Sequence, residues 1–391
     1  MNPPPSAPSL PACHLCGGVL APVEGAAALA RVTSDCRPWP AGGALAVCRA
    51  CATLQSPVDA AWRDEIAALY ADYAVYAQAG GAEQRVFAPG DGAAQARSDR
   101  LVSALCAAFD LPETGRLLDF GCGNGAFLAA FGRARPGWRL TGLDQCAVHR
   151  AAILALPGVE AFLTEPPEPG AARFDLVAMI HSLEHLPDPA GALRETATLL
   201  TPGGRLFLET PDLATSPFDL VIADHVSHFT AATLTAVVRR AGLHPLAPPA
   251  GWVAKELSLV AAAGGAAGGE LAPADPARES RRARALLDWL MAVLAAARGA
   301  GPGLAVFGTS ISGTWLAQAL ADRVALFIDE DVNRIGRSHL GRPIVAPDAV
   351  PPGQRVVLPF PPAVAAGLAG RLAPRGWDLL SPPALEGSGD A

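Results

Sequence analysis

Asp119, Gly121, Gly123 and Gly125 fall together in LLDFGCGNG, residues 117–125. Glycine has no side chain to hold a ligand away from the backbone, so such a turn, with Asn124 inside it, can lie directly against a nucleotide-like molecule. The helix expected from AFLAAFGRA would point its N-terminus at the same place. By itself the loop suits NAD, FAD or S-adenosylmethionine. A second chemistry sits near the start of the chain, where Cys13 and Cys16 form one Cys-x-x-Cys pair and Cys48 and Cys51 another, 31 residues on. Each pair can span one edge of a tetrahedron, so the four thiolates suit one Zn2+ with no open position, which is a structural site. Cys36 is a lesser candidate ligand. Neither pair heads a helix in a thioredoxin-like pattern, which argues against a redox role.

The elements that must carry these residues alternate. RLLDF reads as a strand, AFLAAFGRA as a helix, WRLTGLD as the second strand and CAVHRAAIL as a helix. VEAFL, FDLVAMI and RLFLETP follow as further strands, with a helix over PAGALRETATLL. This pattern predicts an α/β fold built on a mostly parallel, Rossmann-like sheet. A helix over TAATLTAVVRRAGL and a late strand ELSLVAAA, expected at the sheet edge, complete the unit. We divide the chain into a zinc-binding domain at 1–60, a core at 61–263 whose first part, 61–97, is a cap or linker helix region, and a C-terminal Rossmann-like α/β domain at 280–391. The Gly- and Ala-rich run between the last two has the composition of a linker.

The order of the segments narrows the choice of cofactor. Asp144 ends the second strand, 25 residues after Asp119, where a carboxylate can accept from ribose hydroxyls. FDLVAMIHSLEHLPDP and LLTPGGRLFLETPD then arrive at the fourth and fifth strands. Over residues 98–262 this set resembles the class I S-adenosylmethionine-dependent methyltransferases. The resemblance implies that Asp119 and the loop glycines face the methionine part of S-adenosylmethionine and that Asp144 holds its ribose. The competing motif, HSLEH at 181–185, has the His-x-x-Glu-His form of some zinc peptidases. It follows a strand and runs into Pro187 and Pro189, so it reads as a loop, with His181 an active-site wall and His185 a structural histidine.

Cysteine pairs in front, this core in the middle and a second strand-loop-helix unit behind resemble the sugar C-methyltransferases of deoxysugar biosynthesis. CHLCG, CRAC, HSLEHLPDP and DHVSHFT carry the likeness. In that family the last segment holds a Glu-His pair, matched here by Asp224 and His225. The resemblance implies a catalytic group of His225 as general base, Asp224 or His181 tuning it, and Tyr76 closing over the donor, with Tyr70 and Tyr73 as competitors for that last role. A carbon beside a ketone needs such a base before it becomes nucleophilic. The sequence departs from the family at Ile222, where a tyrosine is expected, at GWVAKELSL and at GTSISG. The expected function is therefore C-methylation of a nucleotide-linked keto-deoxysugar. The alternatives are O-methylation of a sugar or small metabolite, and a non-catalytic scaffold that keeps the donor fold.

Composition bounds the partners. A net charge of -7 argues against a broad nucleic-acid surface, and the apolar stretches are too short or too interrupted by charge to span a bilayer. The N-terminus lacks a secretory pattern, so a soluble, cytoplasmic enzyme with a small-molecule acceptor is expected. Oligomeric state is left open. In the C-terminal unit, FGTSISGTW and FIDED place Gly308, Gly313 and Asp329 like a phosphate loop and ribose acid, although the glycine fingerprint is incomplete. That unit is expected to shape the acceptor cleft.

Overall fold

The computed structural model describes residues 10–74, 83, 85–87, 94–168, 170, 173–264 and 274–385. Tyr76 lies outside these residues, as does most of the expected linker.

Near the N-terminus, short strands β1 (Leu20–Pro22), β2 (Ala46–Cys48) and β3 (Leu54–Gln55) lead into helix α1 (Ala60–Tyr70). Asp59 starts that helix by accepting the Trp62 N–H. The core begins with α2 (Arg97–Ala108) and continues through β4 (Gly115–Phe120), α3 (Ala126–Ala134), β5 (Trp138–Leu143), α4 (Arg150–Leu154) and β6 (Val159–Leu163). Next come β7 (Phe174–Ile180), α5 (Pro189–Leu199), β8 (Leu200–Pro211), β9 (Ser227–His228), α6 (Ala231–Arg240), β10 (Leu243–Pro245) and β11 (Glu256–Ala263).

The central sheet has seven strands in the order β6-β5-β4-β7-β8-β11-β10. The first five are parallel, and β11 and β10 are antiparallel additions. Burial on both faces explains the unbroken apolar runs: Leu117, Leu118, Val177, Ala178, Met179, Leu206, Phe207 and Leu208 are all inaccessible. ELSLVAAA is therefore not the edge strand expected from sequence. The edge is β10, whose three residues, Leu-His-Pro, are too few to show a period. The strand order reverses beside β4, which places the switch point, and with it the natural ligand crevice, at the carboxyl end of β4.

Behind the core stand α7 (Pro276–Gly299), β12 (Leu304–Phe307), α8 (Ile311–Leu320), β13 (Val324–Ile328), β14 (Ser338–His339), β15 (Arg342–Val345), β16 (Arg355–Val357), α9 (Pro362–Leu372) and β17 (Asp378–Leu380). They form a second, mostly parallel sheet in the order β14-β15-β13-β12-β16-β17. Helix α7 starts at Pro276, capped by Asp275, a little before the boundary at 280.

The three units interlock. The N-terminal sheet runs β1-β2-β3-β9, so its fourth strand comes from the core segment DHVSHFT. One apolar cluster joins Val32, Val47 and Leu54 to Phe218, Leu220 and Val221 and to Trp289, Leu290 and Trp315 of the C-terminal unit. The Trp315 indole N–H also donates to the Ala30 carbonyl at 2.9 Å. Among the described residues no helix is long and apolar enough to cross a membrane.

Candidate active site

The glycine loop leaves β4 at the switch point. Gly121, Gly123 and Gly125 all have positive φ, at 78°, 54° and 82°. A Cβ at Gly121 would lie 2.3 Å from Ser182 Oγ, so only glycine fits there. Backbone bonds fix the loop: the N–H groups of Gly121 and Cys122 both donate to the Leu143 carbonyl, at 2.8 and 3.0 Å. Asp144 holds it from the other side, accepting from Gly123 N–H at 2.9 Å and Cys146 N–H at 2.8 Å. Each carboxylate oxygen keeps a second lone pair, and the residue is partly exposed, so Asp144 can both shape the loop and accept from a ligand. Asn124 Oδ1 accepts from the Ala126 N–H at the start of α3.

Asp119 lies beneath the loop. It is 1% exposed, and its Oδ1 has no hydrogen-bond partner among the described residues. Burial, reinforced by the negative charge of Asp144, pushes its carboxyl up to about 8. A buried carboxylate oxygen left unpaired is costly and fits a cationic or N–H-bearing ligand. Together with the glycine cradle, it meets what S-adenosylmethionine requires.

The segment after β7 reaches from this loop to a second cluster. Ser182 Oγ donates to the Phe120 carbonyl at 2.8 Å, tying the segment to the end of β4. His181, at φ 50°, donates its backbone N–H to the Glu209 carbonyl and sets its ring between two carboxylates, Nδ1 3.1 Å from Glu184 and Nε2 3.3 Å from Glu256. Arg97 pairs with Glu256 in the same network. Glu209 is fully buried beside them, and burial together with the charge of Glu256 keeps its carboxyl well above the ordinary range.

Two residues beyond, Glu184 and His185 face His225, their ligand atoms within 4.8 Å of one another. The His185 and His225 rings meet edge to face at 4.7 Å. His185 Nδ1 lies 3.3 Å from Asp224 Oδ2 and 3.1 Å from the Tyr70 hydroxyl. Asp224 also accepts from Ser34, through the backbone N–H at 2.8 Å and the hydroxyl at 2.5 Å, and the Tyr73 hydroxyl lies 3.0 Å from Ser34 Oγ. An N-terminal loop and the end of α1 thus form one wall of the site. HSLEH ends in a 3-10 turn at Leu183–His185, and its two histidines engage different carboxylates, unlike a peptidase helix.

The expected partners of His225 need correction. The sequence leads to Asp224 or His181 as the group tuning it, but the hydrogen bond of Asp224 goes to His185 and His181 lies between Glu184 and Glu256. The carboxylate on His225 is Asp219, whose Oδ1 lies 2.6 Å from Nδ1. Asp219 also takes His228 Nδ1 at 2.7 Å through its other oxygen. Asp219 carries no signal in the sequence, because Pro217–Val221 is a 3-10 turn without strand or helix periodicity. His185, expected to be structural, belongs to the cluster.

Burial opposes charge on His185, but its hydrogen bond to Asp224 and the charges of Asp224 and Glu184 outweigh this and raise it to about 9. A histidine raised above its ordinary 6.5 stabilises the fold fully below that pH, and its contribution is lost as pH rises through the folded value. Urea unfolding should therefore show stability falling by about 3 kcal/mol between pH 6.5 and 9. In Asp224→Asn that slope should flatten. An equal slope in both proteins would remove the pair as its source.

The cysteines converge as spaced. Sγ atoms of Cys13, Cys16, Cys48 and Cys51 all lie within 4.8 Å of one another, with Cys13–Cys51 at 3.7 Å and Cys16–Cys48 at 3.4 Å. Zn–S bonds of about 2.3 Å give a tetrahedron with edges of roughly 3.8 Å, which these separations match. Cys36 is not part of the group. In the C-terminal unit, the expected ribose acid is committed elsewhere. Asp329 accepts from Thr309 N–H, Thr309 Oγ1 and Arg334 through Oδ2, and from Asp331 N–H through Oδ1. A Cβ at Gly313 would lie 2.1 Å from the Gly308 carbonyl oxygen, so this glycine serves close packing of α8 on its own loop.

Residues 93–247 match the methyltransferase domain family. That stretch contains the glycine loop, Asp144, the histidine cluster and Asp219. The chain is 34% identical over 156 residues to a ubiquinone biosynthesis O-methyltransferase of Xylella fastidiosa (strain 9a5c), covering 33% of this chain and 61% of that protein. It is 38% identical over 121 residues to the protein of that description from Albidiferax ferrireducens, covering 28% and 45%. The chain thus spans between about half and three fifths of the length of these relatives. A solved structure of the mitomycin 7-O-methyltransferase MmcR aligns with a TM-score of 0.36 and 21% identity, over 43% of this chain and 53% of that one.

Proposed function

We propose that this protein transfers a methyl group from S-adenosylmethionine to a small molecule whose acceptor atom is deprotonated by His225. The observation that carries the reading is the continuity of residues 181–185. Ser182 touches the donor loop, and Glu184 and His185, two and three residues later, face His225. Donor and base are thereby held by one short segment. Asp119, Gly121, Gly123, Asn124, Gly125 and Asp144 would hold the donor, with His181 at its rim. The donor supplies an already activated methyl on a sulfonium, so the protein's task is to place the acceptor in line and remove its proton.

The acceptor we favour is a carbon beside a ketone in a nucleotide-linked deoxysugar, because such a carbon becomes a nucleophile only when a base removes its proton. The flanking cysteine module and C-terminal unit support this reading. A hydroxyl acceptor is the second reading, favoured by the O-methyltransferase names of the relatives. The cysteine cluster we assign to structural Zn2+. Incubation with a 13C-methyl donor and a panel of nucleotide-linked keto-sugars and small hydroxylated compounds tests the function. A carbon-bound label in the product supports the first reading and an oxygen-bound label the second. Donor binding without transfer to any acceptor would favour a scaffold.

A further inference from the structure

We propose that Asp219 is the positioning residue of this site, holding His225 in the tautomer that carries its proton on Nδ1 and leaves Nε2 as the basic atom. The inference rests on the reading of His225 as the base.

The geometry is specific. An ionised carboxylate only accepts hydrogen bonds, and His225 Nδ1 lies 2.6 Å from its Oδ1, so that nitrogen must be the donor. The second oxygen faces His228 Nδ1 at 2.7 Å, which makes the same demand of the second ring. All three side chains are at most 4% exposed, so water does not compete for these bonds. Burial works against the Asp219 charge, but the two imidazoles more than offset it and hold the carboxyl well below its usual range.

The carboxylate is itself immobile. Pro217, Phe218, Leu220 and Val221 are buried on either side of it. Phe218 sits edge-on to Trp289 at 5.5 Å and to Trp315 at 5.7 Å, both from the C-terminal unit. On the other side, Ser227 and His228 form the strand that pairs with β3 of the N-terminal sheet. The 3-10 turn bearing Asp219 is therefore clamped between the two flanking units. This gives each of them a part in catalysis that requires no contact with either substrate.

Asp219→Asn tests the proposal. The amide has the same shape, but its NH2 can donate to Nδ1 and move the ring proton to Nε2, the atom that must be free. Turnover should fall about a hundred- to ten-thousandfold, with donor affinity little changed and the melting temperature lowered, because a buried carboxylate that two imidazoles stabilise is lost. Nitrogen-15 spectra of histidine-labelled protein supply a readout that needs no acceptor. The wild type should show His225 and His228 both protonated on Nδ1. One amide offers a single acceptor, so Asp219→Asn should move one of the two rings to the Nε2–H form, with turnover lost where that ring is His225. An Nε2–H His225 in the wild type, or both rings still protonated on Nδ1 in Asp219→Asn, would overturn the assignment. If Asp219→Asn does not fold, the wild-type spectrum alone decides it. Failure of the base reading is separate, because it would leave the tautomer shift intact while His225→Ala kept its turnover.

Discussion

His225→Ala is expected to bind the donor as the wild type does and to turn over at least about a hundredfold more slowly. The separation of the two effects follows from the fold. The residues proposed to hold the donor are the loop between β4 and α3 and Asp144, whereas His225 stands on the stretch between the 3-10 turn at Pro217–Val221 and β9. The ring is almost inaccessible and packs on His185, so its removal also opens a small void and leaves Asp219 with one imidazole in place of two. A lower melting temperature is therefore expected alongside the loss of turnover. His225→Gln separates these consequences, because it fills most of the space yet cannot accept a proton at neutral pH. Turnover restored by glutamine would remove His225 from the role of base.

Removal of the zinc proposed for the cysteine cluster should have the second large effect. Structural zinc contributes roughly 10 kcal/mol or more to small modules built around it, and the sheet here consists of strands two or three residues long. The consequence reaches the active site through a short path. Gln55 Nε2 donates to Cys13 Sγ at 3.1 Å, and the strand that carries Gln55 pairs with Ser227–His228. His14, in the turn between Cys13 and Cys16, places Nε2 2.8 Å from Ser227 Oγ of β9. Chelation, or Cys48→Ser, should lower the melting temperature by ten degrees or more, on the scale of a few kcal/mol for a chain of this size. It should also abolish turnover, with recovery on adding Zn2+ to the chelated protein. Purified protein that contains neither zinc nor iron and melts unchanged in chelator would refute the assignment.

What could be read from the sequence followed the reach of each signal. The parallel strands were legible because burial on both faces leaves uninterrupted apolar runs, and the glycine loop because positive φ leaves a mark in residue type. The convergence of the cysteine pairs was legible because two Cys-x-x-Cys spacings suit one tetrahedral centre. The carboxylate partners of the histidines were not. Asp224 adjoins His225 in sequence yet serves His185, 39 residues away, while Asp219 reaches His225 across a 3-10 turn. Ser34 meets Asp224 where Val32 bridges Ile222 and accepts the Ala223 N–H, and β9 joins the N-terminal sheet nearby, pairings of one or two residues that no periodicity announces. The same region makes the N-terminal module a wall of the site, where the cysteine spacing suggests a separate zinc-binding domain.

The central claim is that the loop at 117–125 holds S-adenosylmethionine, and calorimetric titration of the donor into the wild type and Asp144→Ala tests it most directly. Asp144 anchors Gly123 and Cys146 and keeps free lone pairs for the proposed contact with the ribose. The account predicts saturable binding of one donor per chain, weakened at least about tenfold in the variant, in line with the loss of a charged hydrogen-bond acceptor. No binding by the wild type, or equal affinity in both proteins, would contradict it.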